Sequence, residues 1–258
     1  MKITALVENT CESGKYSVEH GLSLYIETDK HKILFDMGQT ELFCENAKKL
    51  GVDLGKVDFA VLSHGHYDHG GGLAKFVEIN TFAPVYINKN AFGEHYNGTE
   101  KYIGLDSGLK NNKRFVFCDE HYEIDKGINL YSCNKRARNY DMGSSGLLLK
   151  QGDEFVPDSF YHEQYLMIEE NDKNVLISGC SHKGILNIAE WFKADVIIGG
   201  FHFSKLPLDD ELADYAKILD SHNTLFYTCH CTGTEQYDFM KKYMKRLSYI
   251  STGEIIKI

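Results

Sequence analysis

An uninterrupted apolar run, Phe59-Ala60-Val61-Leu62, leads without a spacer into Ser63-His64-Gly65-His66-Tyr67-Asp68-His69. Four consecutive apolar residues read as a strand buried on both faces, which an open α/β sheet supplies and a one-sided surface sheet does not. Such sheets hold ligands just beyond the carboxyl ends of their strands, so polar residues at this point signify chemistry. His64 and His66, at alternate positions, can aim at one cation from the loop. Asp68 and His69 can turn toward a second cation beside it. A solvated His-rich loop is the plainer alternative, and the position at the end of a buried strand weighs against it. Gly70-Gly71-Gly72-Leu73 is expected to open a helix whose first N–H groups offer a positive pole to an anion.

The flanking pattern places this strand in a larger fold. Ile3–Val7, Leu22–Ile26 and Lys32–Phe35 read as a meander of strands. Leu42, Phe43, Asn46, Ala47 and Leu50 then recur at helical spacing and stop at Gly51. Val85–Ile87, Phe115–Cys118, Ile128–Ser132 and Leu147–Lys150 are further strand candidates, and Tyr165–Ile168 with Val175–Ser178 forms a pair around Asn171-Asp172. The segment from Phe76 to Asn112, Val85–Ile87 apart, reads as a long irregular connection, of the kind that forms active-site walls.

After Ser178 the chain alternates: helix Gly184–Trp191, strand Val196–Ile198, helix Asp209–Asp220, strand Leu225–Thr228, helix Thr234–Met244. That alternation predicts parallel strands covered by helices. Each strand ends in a polar cluster, namely Cys180-Ser181-His182, Gly199-Gly200-Phe201-His202 and Cys229-His230-Cys231, so three distant histidines are delivered to one rim. Two packed sheets with helices outside, in one domain spanning 1–258, satisfy the whole pattern.

Composition limits the partners. The chain has 258 residues, 43% hydrophobic and 25% charged, enough for a sizeable core and too apolar for a disordered segment. A formal net charge of −9 repels nucleic acid and anionic membranes, so neither is expected as a partner. Lys135, Arg136 and Arg138 form a local basic cluster that either holds a small anion or is solvated surface. Seven cysteines, Cys11, Cys44, Cys118, Cys133, Cys180, Cys229 and Cys231, follow no disulfide framework. With no leader and no membrane-length apolar run, a reducing cytoplasm is the expected setting.

The segment HxHxDH after a buried strand, with later histidines at strand ends, resembles the metallo-β-lactamase superfamily over nearly the whole chain. The resemblance implies a four-layered αβ/βα sandwich, mixing α+β and α/β character, with a dinuclear metal site between the sheets. Ile33-Leu34-Phe35-Asp36-Met37-Gly38 is similar to that superfamily's Asp-x-Gly strand end, whose carboxylate supports the metal loop. Ser178–His182, Gly199–His202 and His230–Gly233 resemble a narrower group of metal-dependent hydrolases that also holds a pterin-linked phosphate synthase.

Carried over residue by residue, the resemblance implies His64 and His66 for the first metal, Asp68 and His69 for the second, and His230 as the last histidine. His182 is expected to complete the first site, with His162 as its alternative. The superfamily's acidic residue is missing where Cys180 stands, leaving that cysteine as a thiolate ligand or a buried structural residue. His202, after two glycines, is a candidate substrate contact or proton donor, or else a structural histidine. Redox relatives carry a glutamate at the place of His66, so zinc is favoured over manganese or iron, which remain open.

Two such ions would activate water for attack on a small anionic ester, phosphodiester or lactone, with Asp68 also holding the nucleophile in line. A transfer reaction displacing pyrophosphate, and a non-catalytic protein gripping a ligand through metals, are the alternatives. The remaining histidines, His20, His31, His95, His121 and His222, are assigned nothing.

Overall fold

Ile33, Leu34 and Phe35 show how the architecture arises from the apolar runs. Ile33 and Phe35 face inward to a core shared by two sheets, whereas Leu34 faces outward to a core under helices. A strand used on both faces has no polar face to show, which explains its continuous hydrophobicity. The computed structural model describes residues 1–258.

The first sheet has seven strands in the order Ile255–Lys257, Lys2–Val7, Ser23–Glu27, Lys32–Phe35, Phe59–Val61, Val85–Asn88 and Phe115–Cys118. The second also has seven, in the order Leu247–Tyr249, Leu225–Thr228, Val196–Gly199, Lys173–Ile177, Tyr165–Glu170, Ile128–Tyr131 and His121–Asp125. Between them, Ile3, Phe35 and Val61 meet Leu166, Ile177 and Ile198. Helices Leu42–Lys49 and Leu73–Ile79 cover the outside of the first sheet through Phe43, Ala47, Leu73 and Phe76. Helices Ile185–Phe192, Asp210–Ser221 and Thr234–Met240 cover the second through Leu186, Ile188, Leu212, Ala216 and Met240. This is the expected helix–sheet–sheet–helix sandwich.

Parallel pairing fixes where the loops go. Lys32–Phe35, Phe59–Val61 and Val85–Asn88 run parallel, as do Lys173–Ile177, Val196–Gly199 and Leu225–Thr228. Loops leaving the ends of parallel strands therefore emerge along one edge of each sheet.

Three local expectations need correction. The last helix stops at Met240, four residues before the predicted Met244. The stretch read as irregular contains strands Glu94–Asn97 and Lys101–Tyr102, which join Leu147–Gln151 and Glu154–Pro157 in a third sheet of four strands. Their mostly polar residues lack apolar alternation, so pairing across the chain rather than local pattern makes them strands. Finally, a helix does open at Leu73 as expected, but a short helix Tyr67–Gly70 precedes it, so the Gly70 N–H donates to the His66 carbonyl and the Gly71 N–H to the Gly38 and Tyr67 carbonyls. The amides of Gly70 and Gly71 are thus spent inside the fold.

Candidate metal centre

Phe35 ends its strand and Asp36 turns sharply, with a left-handed φ of 59°, so that its carboxylate lies beneath the neighbouring His-rich loop. Aspartate tolerates this conformation better than most residues. Asp36 Oδ1 accepts the Ser63 N–H at 2.7 Å, and Oδ2 accepts both the Ser63 hydroxyl at 2.7 Å and His69 Nδ1–H at 2.6 Å. The support role expected for this Asp-x-Gly segment is thus visible as three bonds.

These bonds decide which ring nitrogens are bare. His69 gives its Nδ1 proton to Asp36, leaving Nε2 as a lone pair. Ser63 Oγ has spent its proton on Asp36, so at 2.8 Å it can only accept from His64 Nδ1–H, and His64 Nε2 is bare too. Asn9 Oδ1 takes the Gly21 N–H, so at 2.8 Å it accepts from His230 Nδ1–H as well, which frees His230 Nε2. The network fixes these tautomers.

These nitrogens face one another or a further donor. His69 Nε2 is 3.2 Å from His230 Nε2 and 3.1 Å from Cys180 Sγ, and His64 Nε2 is 3.3 Å from His182 Nε2. Nitrogens so placed repel unless a proton or a metal cation lies between them. For a tetrahedral ion with bonds of about 2.0 Å to nitrogen, the ligand–ligand edge is about 3.3 Å. His66 Nε2 and His182 Nδ1 are also buried without any partner. The residues therefore fit a divalent metal.

Two groups of donors share His64. His64, His66 and His182 lie within 4.8 Å of one another, as do His64, His69 and Cys180. Asp68 Oδ2 sits 3.4 Å from His230 Nε2 and 3.9 Å from His69 Nε2. All six histidine and aspartate candidates, His64, His66, Asp68, His69, His182 and His230, are thus brought together. Cys180 belongs to the second group and also lies within 4.8 Å of the donor atoms of His230 and Cys231.

Electrostatics agree. Burial and the neighbouring imidazoles hold His64, His66 and His182 well below the ordinary histidine pKa, so these rings are neutral. Burial would raise Asp68, but His69, His20 and His230 outweigh it and keep the carboxyl well below its usual range. Against its own burial, His69 is raised by Asp36 and Asp68. The two carboxylates draw positive charge to a place where the His64, His66 and His182 rings are neutral.

Backbone strain concentrates here as well. Ser181, His202 and His230 have φ of 58°, 58° and 51°, at the turns that end the three parallel strands. Non-glycine residues in this region cost free energy and cluster at functional sites. Gly200 makes room for Cys231, whose Sγ would lie 2.4 Å from a Cβ at that position.

A cavity of about 420 Å³ opens over the cluster, lined by His66, Asp68, Cys180, His182 and His230 together with His20, His202, Lys101 and Lys205. His202 lies outside every donor group, its ring 4.4 Å from that of His182, so it faces the cavity rather than a metal. Burial lowers its pKa to about 4.

His162 falls short as an alternative ligand, because its Nδ1 lone pair accepts the Gly65 N–H at 2.9 Å and its Nε2 must then carry the proton. The basic cluster does not line the cavity. Arg136 and Arg138 donate instead to the carbonyls of Trp191 and Ser159.

Two histidines left unassigned by the sequence belong to the surroundings. His20 Nε2 lies 3.2 Å from Asp68 Oδ2, and His95 is buried with Nδ1 2.7 Å from Asp158 Oδ2. Neither has a motif beside it; only the fold brings them in.

A family model for the metallo-beta-lactamase superfamily matches residues 16–219. An uncharacterised protein of Methanocaldococcus jannaschii is 32% identical, over 99% of this chain and 100% of that protein. The 7,8-dihydropterin-6-methyl-4-(beta-D-ribofuranosyl)-aminobenzene-5'-phosphate synthase of the same organism is 28% identical over 93% of this chain and 90% of its own length. Among solved structures, a metal-dependent hydrolase of the beta-lactamase superfamily superposes with a TM-score of 0.85 at 30% identity, covering 100% of this chain and 99% of that one.

Proposed function

Because this chain belongs to the metallo-beta-lactamase superfamily, we propose that it is a metal-dependent hydrolase carrying two divalent ions, zinc by donor type, and acting on a small anionic ester, phosphodiester or lactone. The observation that carries the reading is the set of mutually facing Nε2 atoms of His64, His69, His182 and His230 at 3.2 to 3.3 Å, three of them freed by the Nδ1 bonds of His64, His69 and His230. His64, His66 and His182 would hold one ion, and Asp68, His69 and His230 the other, with Cys180 placed to reach the second as a thiolate. Nitrogen and sulfur donors together suit zinc.

Bound ions of this kind supply Lewis acidity and a water of lowered pKa. The protein's own groups do the rest. Asp68 Oδ2, at the cavity floor, accepts a hydrogen bond from the attacking water and holds it in line. Lys101 and Lys205 line the cavity and favour an anionic substrate. His202 lends a ring nitrogen to the substrate or its leaving group. Asp36, Ser63 and Asn9 keep the imidazoles in the tautomers that bind metal.

The test is hydrolysis of a panel of nitrophenyl esters, a phosphodiester and a lactone by metal-stripped and zinc-reloaded protein. Turnover that vanishes on stripping and returns with zinc supports the reading. Full activity in the stripped protein, or none in the reloaded protein on any panel member, contradicts it.

The likeness to the pterin-linked synthase over nearly its full length supports a second reading, a transfer in which pyrophosphate leaves a pterin diphosphate as an aromatic nucleophile attacks carbon. Pyrophosphate release that requires both donor and acceptor would favour transfer. Release with water alone favours hydrolysis.

A further inference from the structure

The tripeptide His162-Glu163-Gln164 touches both loops that carry the donors of the first cation site, and all three side chains are buried. On one side, the Gln164 N–H donates to the Ser63 carbonyl at 2.8 Å, and its side-chain Nε2 donates to the carbonyls of Leu62 at 2.8 Å and Tyr86 at 3.2 Å. His162 Nδ1 accepts the N–H of Gly65, the residue between His64 and His66, at 2.9 Å. On the other side, the Glu163 carboxylate accepts the N–H of His182 at 2.6 Å, the N–H of Lys183 at 3.0 Å and the Tyr165 hydroxyl at 2.6 Å.

The chemistry of each contact is specific. Ser181, with its left-handed φ, turns the next two amides to the same side, and two converging N–H groups form a cradle for an anion. A buried carboxylate fills it and spends its remaining capacity on Tyr165. Lys183 Nζ ties the same segment by donating to the Glu163 and Ser132 carbonyls at 2.9 and 2.7 Å.

His162 is held from behind by Asp158, whose Oδ2 lies 3.3 Å from His162 Nε2 and accepts His95 Nδ1–H at 2.7 Å. His66, His95, Asp158 and His162 form a donor group of their own within 4.8 Å. In it His162 Nδ1 and His95 Nδ1 are committed to the Gly65 N–H and to Asp158, while the Nε2 atoms of His66, His95 and His162 are buried without a hydrogen-bond partner.

We infer that His162-Glu163-Gln164 is the spacer that sets the distance between the His64–His66 loop and His182, and that Glu163 and His162 are positioning residues acting through the ligands they hold. This rests on the proposed metal reading. Loss of an outer hydrogen-bond partner of a metal ligand typically weakens metal binding by about 10- to 100-fold.

The experiment is titration of metal-stripped full-length protein with cobalt ions, followed by visible absorption and by cobalt content after desalting. The thiolate band of a cobalt-bound Cys180 reports the neighbouring site separately. Wild type is expected to take two ions. Glu163→Gln, equal in size but unable to accept from both amides, is expected to bind the first ion about 10- to 100-fold more weakly with the thiolate band unchanged. His162→Asn, whose Oδ1 can take the Gly65 N–H, should keep both ions, whereas His162→Ala should weaken the first.

Wild type taking no cobalt overturns the metal reading itself. Wild type taking two, with Glu163→Gln and His162→Ala unchanged in affinity, overturns only the spacer. Outright loss of one ion in His162→Asn makes His162 a ligand and also overturns it. Circular dichroism of each stripped variant shows whether it folds, and the His162 pair decides the matter if Glu163→Gln does not.

Discussion

Asp36 Oδ2 lies 2.6 Å from His69 Nδ1, with both side chains wholly removed from solvent. The same carboxylate orients His64 through the Ser63 hydroxyl, so one buried charge sets the tautomers of two donors on different sides of the cluster. Asp36→Asn keeps the size but removes acceptor capacity, and metal affinity should fall by about 10- to 100-fold. Competition with a chromophoric chelator measures it. An unchanged affinity would show that the network is ornamental.

Asp68 combines contact with His230 and His20 with a place at the cavity floor. Asp68→Asn should lower kcat by about 10² to 10⁴ while the thermal transition stays close to that of wild type, because a positioned proton acceptor is lost and little packing changes. His20→Ala, removing a ring whose side chain is 55% exposed, should cost far less. Equal losses in both variants would place the function of Asp68 elsewhere.

Gly65 separates His64 and His66, and a Cβ there would sit 2.0 Å from the Ala91 carbonyl oxygen. Neither partner is a flexible side chain, so the backbone must move. Gly65→Ala should destabilise by about 1 to 3 kcal/mol or more and weaken metal binding together. Gly98→Ala, where nothing lies within 4 Å but φ is 63°, separates conformational strain from collision. A Gly65→Ala protein as stable as wild type would mean the loop is not closely packed.

The strands around the site were legible because apolar runs such as Ile33–Phe35 and Val196–Ile198 must be buried on both faces, and nothing else in the fold accommodates them. His64, His66, Asp68 and His69 were legible from spacing alone. His182 and His230 could be placed only as residues at strand ends, since their meeting with His64 and His69 depends on the packing of the two sheets. Cys180 could not be assigned, because a thiol within a donor group and a thiol in a core look alike in sequence. His95 lies on a strand with almost no apolar pattern, held by pairing to Leu147–Gln151, and its bond to Asp158 spans 63 positions.

Two partly exposed cysteines should titrate in opposite directions. Although its slight burial works the other way, Cys11 is lowered from the usual thiol value by the Ser13 hydroxyl and nearby backbone amides, while burial and Glu41 push Cys44 up to about 12. The thiolate reacts, so at pH 8 a disulfide reagent should modify Cys11 well before Cys44. Labelling of Cys11 should level off as pH passes its lowered pKa, while labelling of Cys44 keeps rising through pH 10. Peptide mapping after timed labelling gives both rates, and Cys44 reacting first would reverse the electrostatic assignment.

The most direct measurement is metal content per chain, by elemental analysis of protein purified without chelators and then equilibrated with zinc and desalted. We expect two ions per chain in wild type and a clear reduction in both His64→Ala and His230→Ala, each still folded by circular dichroism. A wild-type chain that retains no ion after equilibration would contradict the account, because the facing imidazoles would then be held together by something other than a shared cation pair.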